Sequence, residues 1–168
     1  MPRYINELPF LYKELVMKKL FCLLLISLLA TGSLLNAQSS EPFVGAKTIT
    51  IQTRQSGAAA YNSWVRHLEK ENIRPDRTDP IQFMANSLPV LLKKQNCEFV
   101  VNTKVTDFGD IRVTVQWRYL TADSTKGQTT DFRPWEYEEG KKSISQTIYN
   151  EIWRVVELYG VTLIRYSR

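Results

Sequence analysis

Two stretches in the middle of the chain alternate apolar and polar residues with a period of two. In the first, Cys97, Phe99, Val101 and Val105 alternate with Glu98, Asn102 and Lys104. In the second, Ile111, Val113, Val115, Trp117 and Tyr119 alternate with Arg112, Thr114, Gln116 and Arg118. Asp107-Phe108-Gly109-Asp110 lies between them and carries the residues a tight turn needs. The pattern predicts an antiparallel hairpin over Cys97–Thr106 and Ile111–Leu120 with one wet face. A shorter alternation at Lys47–Thr53 predicts another strand, with Ile49 and Ile51 on one face.

The period changes to that of a helix in two places. Tyr61, Trp64, Val65 and Leu68 recur at helical spacing within Ala58–Asn72. Ile144, Ile148, Ile152, Val155 and Tyr159 do so after Ser143, where Ser143 and Gln146 form a Ser-x-x-Gln capping box and Gly160 provides a stop. A last strand is expected at Val161–Tyr166, and a short extended piece at Phe132–Glu139. Between 79 and 95 the signals conflict. Asp79-Pro80 looks like a helix start, Pro89 interrupts, and Leu88–Gln95 resumes as helix; a strand through Ile81–Leu92 is the alternative. A sheet with one wet face points to an α/β (α+β) two-layer sandwich, with helices packed on one face of a mostly antiparallel sheet. A βαββαβ core of the ferredoxin-like kind from Lys47 to Tyr166, with residues 79–95 inserted, is one way to wire it.

The first forty residues belong to a different class. Met17-Lys18-Lys19 is basic, Leu20–Ala30 is apolar apart from Cys22 and Ser27, Thr31-Gly32-Ser33 breaks the run, and Leu34-Leu35-Asn36-Ala37-Gln38 follows, with the small Ala37 before the cut. That order reads as a signal peptide over residues 17–37, cut between Ala37 and Gln38. Residues 1–16 precede Met17, itself a good start, and read as a misassigned upstream start. Residues 38–46 then form a flexible leader and 47–168 one globular domain, long enough for a real core. No cysteine closes the apolar run, which argues against a lipid anchor, and no stable membrane anchor is expected after cleavage. The localisation expected is periplasmic or secreted.

Composition narrows the chemistry. Twenty-two Lys and Arg face 17 Asp and Glu, a net charge of +5, and cleavage would remove more basic than acidic residues. So mild a balance does not predict nucleic-acid binding. Cys97 is the one cysteine beyond residue 37 and is expected as a buried thiol. His67 is the one histidine, without a nucleophile motif to pair with, and reads as a surface residue. Glu136, Glu138 and Glu139 read as a solvated loop, because neighbours on one loop rarely face each other across a scissile bond. Lys104, Arg112 and Arg118 share the wet sheet face, where cations can attract phosphate or acidic envelope polymers but more commonly serve solubility. No metal, cofactor or catalytic residue is assigned.

The aromatic residues stand out more. Trp117, Tyr119, Trp135 and Tyr137 cluster along the chain, and Tyr149 and Trp153 widen the last helix's apolar arc beyond its core stripe. Trp153, Tyr149, Trp117, Tyr119 and Trp135 are therefore the candidate partner-binding residues, with Trp153 the one most expected to be exposed.

The run Leu91-Leu92-Lys93-Lys94-Gln95-Asn96-Cys97-Glu98-Phe99-Val100-Val101, then Val105-Thr106-Asp107-Phe108-Gly109-Asp110-Ile111-Arg112-Val113-Thr114-Val115, then a polar loop and a helix at Ser143–Tyr159, resembles the amino-terminal domains of the TolB family of periplasmic proteins. The likeness covers roughly residues 81–159. It implies a partner-binding α/β domain and transfers no catalytic residue. The expectation is an exported, non-catalytic protein-interaction domain of the bacterial cell envelope. The alternative is a small-ligand-binding protein or hydrolase with an aromatic-lined cleft near Trp117, Tyr119, Trp135 and Tyr137.

Overall fold

The chain divides after Asn36 into two units, and the computed structural model describes residues of the second: 39–168, apart from 123, 128–129, 141–142 and 161–162. The candidate cleavage residues Ala37 and Gln38 lie outside the described residues.

Strand β1 (Thr48–Gln52) buries Ile49 and Ile51 and leaves the alternate side chains partly open. Helix α1 (Gly57–Lys70) buries Tyr61, Trp64 and Leu68 of the stripe its spacing predicts, together with Ala60, while Val65 is only partly buried. The segment that follows departs from the helical reading. It folds as three short strands, β2 (Pro75–Asp79), β3 (Met84–Ser87) and β4 (Val90–Leu92), ending in one 3-10 turn at Lys93–Gln95. Asp79 does cap amides, but those of a turn: its Oδ1 accepts from the N–H groups of Ile81 and Gln82, each at 3.0 Å. Asp-Pro serves a hairpin turn as well as it serves a helix start, because both need an acceptor for unpaired N–H groups. Pro89 then costs a ladder bond, and the register on the neighbouring strand slips by one residue between β3 and β4. The Ser87 hydroxyl fills the gap, accepting the Val101 N–H at 2.9 Å.

Strands β5 (Cys97–Val105) and β6 (Ile111–Tyr119) pair without interruption from Cys97 opposite Tyr119 to Val105 opposite Ile111. The two-residue strand β7 (Arg133–Pro134) pairs with the end of β6. Helix α2 (Ile144–Leu158) starts at Ser143, whose hydroxyl accepts the Gln146 N–H at 2.9 Å. Only half of the capping box forms, since the Gln146 side-chain amide donates to Asn150 instead. Strand β8 (Leu163–Ser167) returns beside β1.

The strands lie in the order β2-β3-β5-β6-β1-β8, every pairing antiparallel, with β4 also on β5. Taken as β1-α1-β5-β6-α2-β8, the core has the βαββαβ order with strands side by side as β8-β1-β6-β5, the split βαβ arrangement. Strands β2 to β4 widen the sheet beyond β5. Both helices cover one face, so the fold is the α+β two-layer sandwich that the hairpin's wet face implied. Trp64 ties the layers, donating from Nε1 to the Thr103 hydroxyl at 3.1 Å within the core. Ser39 bridges Tyr166, and Gly45 and Ala46 exchange backbone bonds with Tyr137, so backbone pairs hold the stretch before β1 to the domain.

Candidate functional site

The end of β6 and the short β7 build the floor of an open cleft. Trp117 and Arg133 are register partners there, so both side chains rise from the helix-facing side of the sheet. The Arg133 guanidinium lies over the Trp117 ring, 3.7 Å from its centroid, and 5.3 Å from that of Tyr119. Trp117 and Tyr119 meet edge to face at 5.2 Å. A planar cation on aromatic faces is held by the ring quadrupoles, so the fork is pre-oriented. Its Nε is buried and has no hydrogen-bond partner among the described residues. A buried N–H without an acceptor costs about 1–3 kcal/mol, and natural folds rarely leave one unless something else meets it.

The opposite wall comes from the chain after β7. Trp135 is 1% exposed and donates from Nε1 to the Ser145 carbonyl at 3.0 Å. The Ser145 hydroxyl donates to the Glu136 carbonyl and accepts the Glu138 N–H. These bonds fasten the first turn of α2 to residues 135–138, and so fix Ile144 and Ser145 as a wall. Glu136 and Glu138 stand at the rim, with Lys47 2.7 Å from the Glu136 carboxylate. The cleft has a volume of about 510 Å³, within the usual range for small-molecule sites, about 300–1,000 Å³. Beneath the sheet end, burial raises the pKa of the Cys97 thiol while the nearby Arg133 charge pulls the other way. Cys97 is thus the buried thiol expected from its strand position.

The five nominated aromatic residues divide between two places. Trp117 and Tyr119 line the cleft. Trp117 is 8% exposed and Trp135 is core, so neither offers a flat protruding surface. Trp135, Tyr149 and Trp153 form a ladder of near-parallel rings, at 6.4 and then 6.1 Å, behind the cleft wall. Trp153 is the outer rung and is half-buried. Tyr149 also bonds the Tyr166 hydroxyl at 3.1 Å. What sequence reasoning missed is Arg133, together with Ile144 and Ser145.

His67 is not the surface residue expected. It is half-buried between the helices, with Nε2 2.7 Å from the Val155 carbonyl and its ring 5.1 Å from that of Tyr159. The carbonyl can only accept, so Nε2 carries the proton. Glu71 and Arg154 pair beside it at 2.7 Å. Among the described residues, no cluster of three or more His, Cys, Asp or Glu is placed to hold a metal, and no helix is long and apolar enough to cross a membrane. No protein-family model matches the chain, and neither does any curated protein sequence.

Proposed function

We propose that the domain is a binding module whose ligand is a small oxyanion-bearing molecule, carboxylate or phosphate, seated in the Arg133 cleft. One observation carries the reading: a guanidinium stacked on Trp117, with a buried Nε–H that no group among the described residues accepts. An oxyanion in the cleft would take an outer N–H of the fork and, as the side chain yields to it, the Nε–H as well, the bidentate geometry that suits Arg over Lys. The Tyr119 ring and Ile144 give the rest of the ligand an apolar wall. The Ser145 hydroxyl is spent on the backbone of Glu136 and Glu138, so the site favours binding over nucleophilic attack. This develops the aromatic-cleft alternative of the sequence reading. The interaction surface centred on Trp153 has less support, because Trp153 is stacked and half-buried.

A position in the bacterial envelope remains part of the proposal. Its support is the basic, apolar and small-residue order of residues 17–37.

Isothermal titration with N-acetyl amino acids and inorganic phosphate tests the site. At least one probe should bind, and Arg133→Lys, which keeps a charge but loses the fork and the stacking, should weaken it tenfold or more. Failure of every probe, or equal affinity in the Lys variant, would overturn the reading.

A further inference from the structure

We propose that the open face of the sheet is a second binding surface, for an acidic polysaccharide chain. The observation behind it is a pair of like charges set directly against each other. Lys104 on β5 and Arg112 on β6 are register partners, both exposed, on the face away from the helices. Like charges opposite one another across strands destabilise a sheet. The same row continues through Thr50 to Arg165 on β8.

Among the described residues, the acids on this face leave the Lys104–Arg112 pair open on its inward side. Glu98 is committed to Arg118, 2.6 Å away. Asp79, across from Met84, accepts the turn amides of Ile81 and Gln82. Asp107 and Asp110 lie beside Lys104 and Arg112 only at the turn end, where a groove also holds the exposed Ile81 and Phe108. A polyanion would therefore track inward along the rows of side chains and not over that end.

The next row in that direction is uncharged until its edge. Thr48, Thr114, Asn102 and Asn86 follow one another across four strands, and Arg77 ends the row. Strands stand about 4.8 Å apart, so such a row crosses roughly 20 Å. Hydroxyl and amide groups beside a cationic row match a chain rich in hydroxyls and carrying repeated negative charge. Neither row holds an aromatic ring. Single-stranded nucleic acids rely on such rings for base stacking, so the surface favours a sugar polymer.

Affinity electrophoresis through gels containing polygalacturonate, at low salt, is the test. The protein should be retarded, and the retardation should fall steeply as salt rises, since counterions are released on binding. Lys104→Glu/Arg112→Glu should lower the affinity at least tenfold. Lys70→Glu on helix α1 should leave it within twofold, as should Arg133→Met, which separates this surface from the cleft. Absence of retardation in the wild type, equal losses in the Lys70→Glu and sheet-face variants, or tighter binding of a single-stranded oligonucleotide would each overturn the proposal.

Discussion

Arg133 sets stability against binding. Its stacking on Trp117 contributes about 0.5–2 kcal/mol, while the unpaired buried Nε–H costs a similar amount. The residue is therefore close to neutral for folding. Arg133→Met keeps most of the apolar stem and removes the unpaired donor. Chemical denaturation should find its stability within about 1 kcal/mol of wild type or higher, while oxyanion binding is lost. Cys97 gives a second expectation at this scale. Its pKa is raised by burial, so at pH 8 it stays a thiol without access to solvent. A disulfide-exchange reagent should leave the native protein unlabelled and react fully in denaturant; rapid native labelling would contradict the packing around it.

At the scale of elements, the start of α2 matters most, because it forms one wall of the cleft. Ser143→Ala removes the cap and should cost about 1 kcal/mol in a denaturation experiment. Glycine at 109 is required by the turn, with φ +85° and the Gln55 backbone packed against the missing side chain. Strand β6 was legible in the sequence because its alternation runs without a break, and β5 because only Val100 and Thr103 depart from the pattern. Both helices were legible from their stripes. Strands β2 to β4 were harder, since each is three to five residues long and Asp79-Pro80 serves a turn or a helix equally. The cleft was half legible. Trp117 and Tyr119 drew attention as aromatic residues, but Arg133 becomes a site residue only through the pairing of β7 with β6 across the intervening polar stretch. No local pattern encodes that register. The same holds for His67, whose partner Val155 lies on the other helix.

Across the described domain, the two faces of one sheet differ in character. The helix-covered face holds the core and, at its uncovered end, the cleft; the open face carries the cationic and polar rows. The core also contains tyrosines that tie the fold to pH. Burial raises the pKa of Tyr166 well above that of a free phenol, and its bond to Tyr149 adds to this; burial raises those of Tyr149 and Tyr61 in the same direction. Protons are thus held more tightly in the folded state. This stabilisation is complete below the unfolded phenol value of about 10 and is lost as pH rises beyond it. The melting temperature should be level in this respect from pH 7 to 9 and fall above pH 10, less steeply in Tyr166→Phe once its own lower starting stability is taken into account.

The most direct measurement is the ¹⁵N-resolved NMR signal of the Arg133 Nε–H during titration with an N-acetyl amino acid. A proton waiting for an acceptor should be visible in the free protein and should move downfield to saturation as the carboxylate arrives. An Nε–H signal that stays put while the ligand binds elsewhere, or at any concentration of ligand, would contradict the assignment of the cleft.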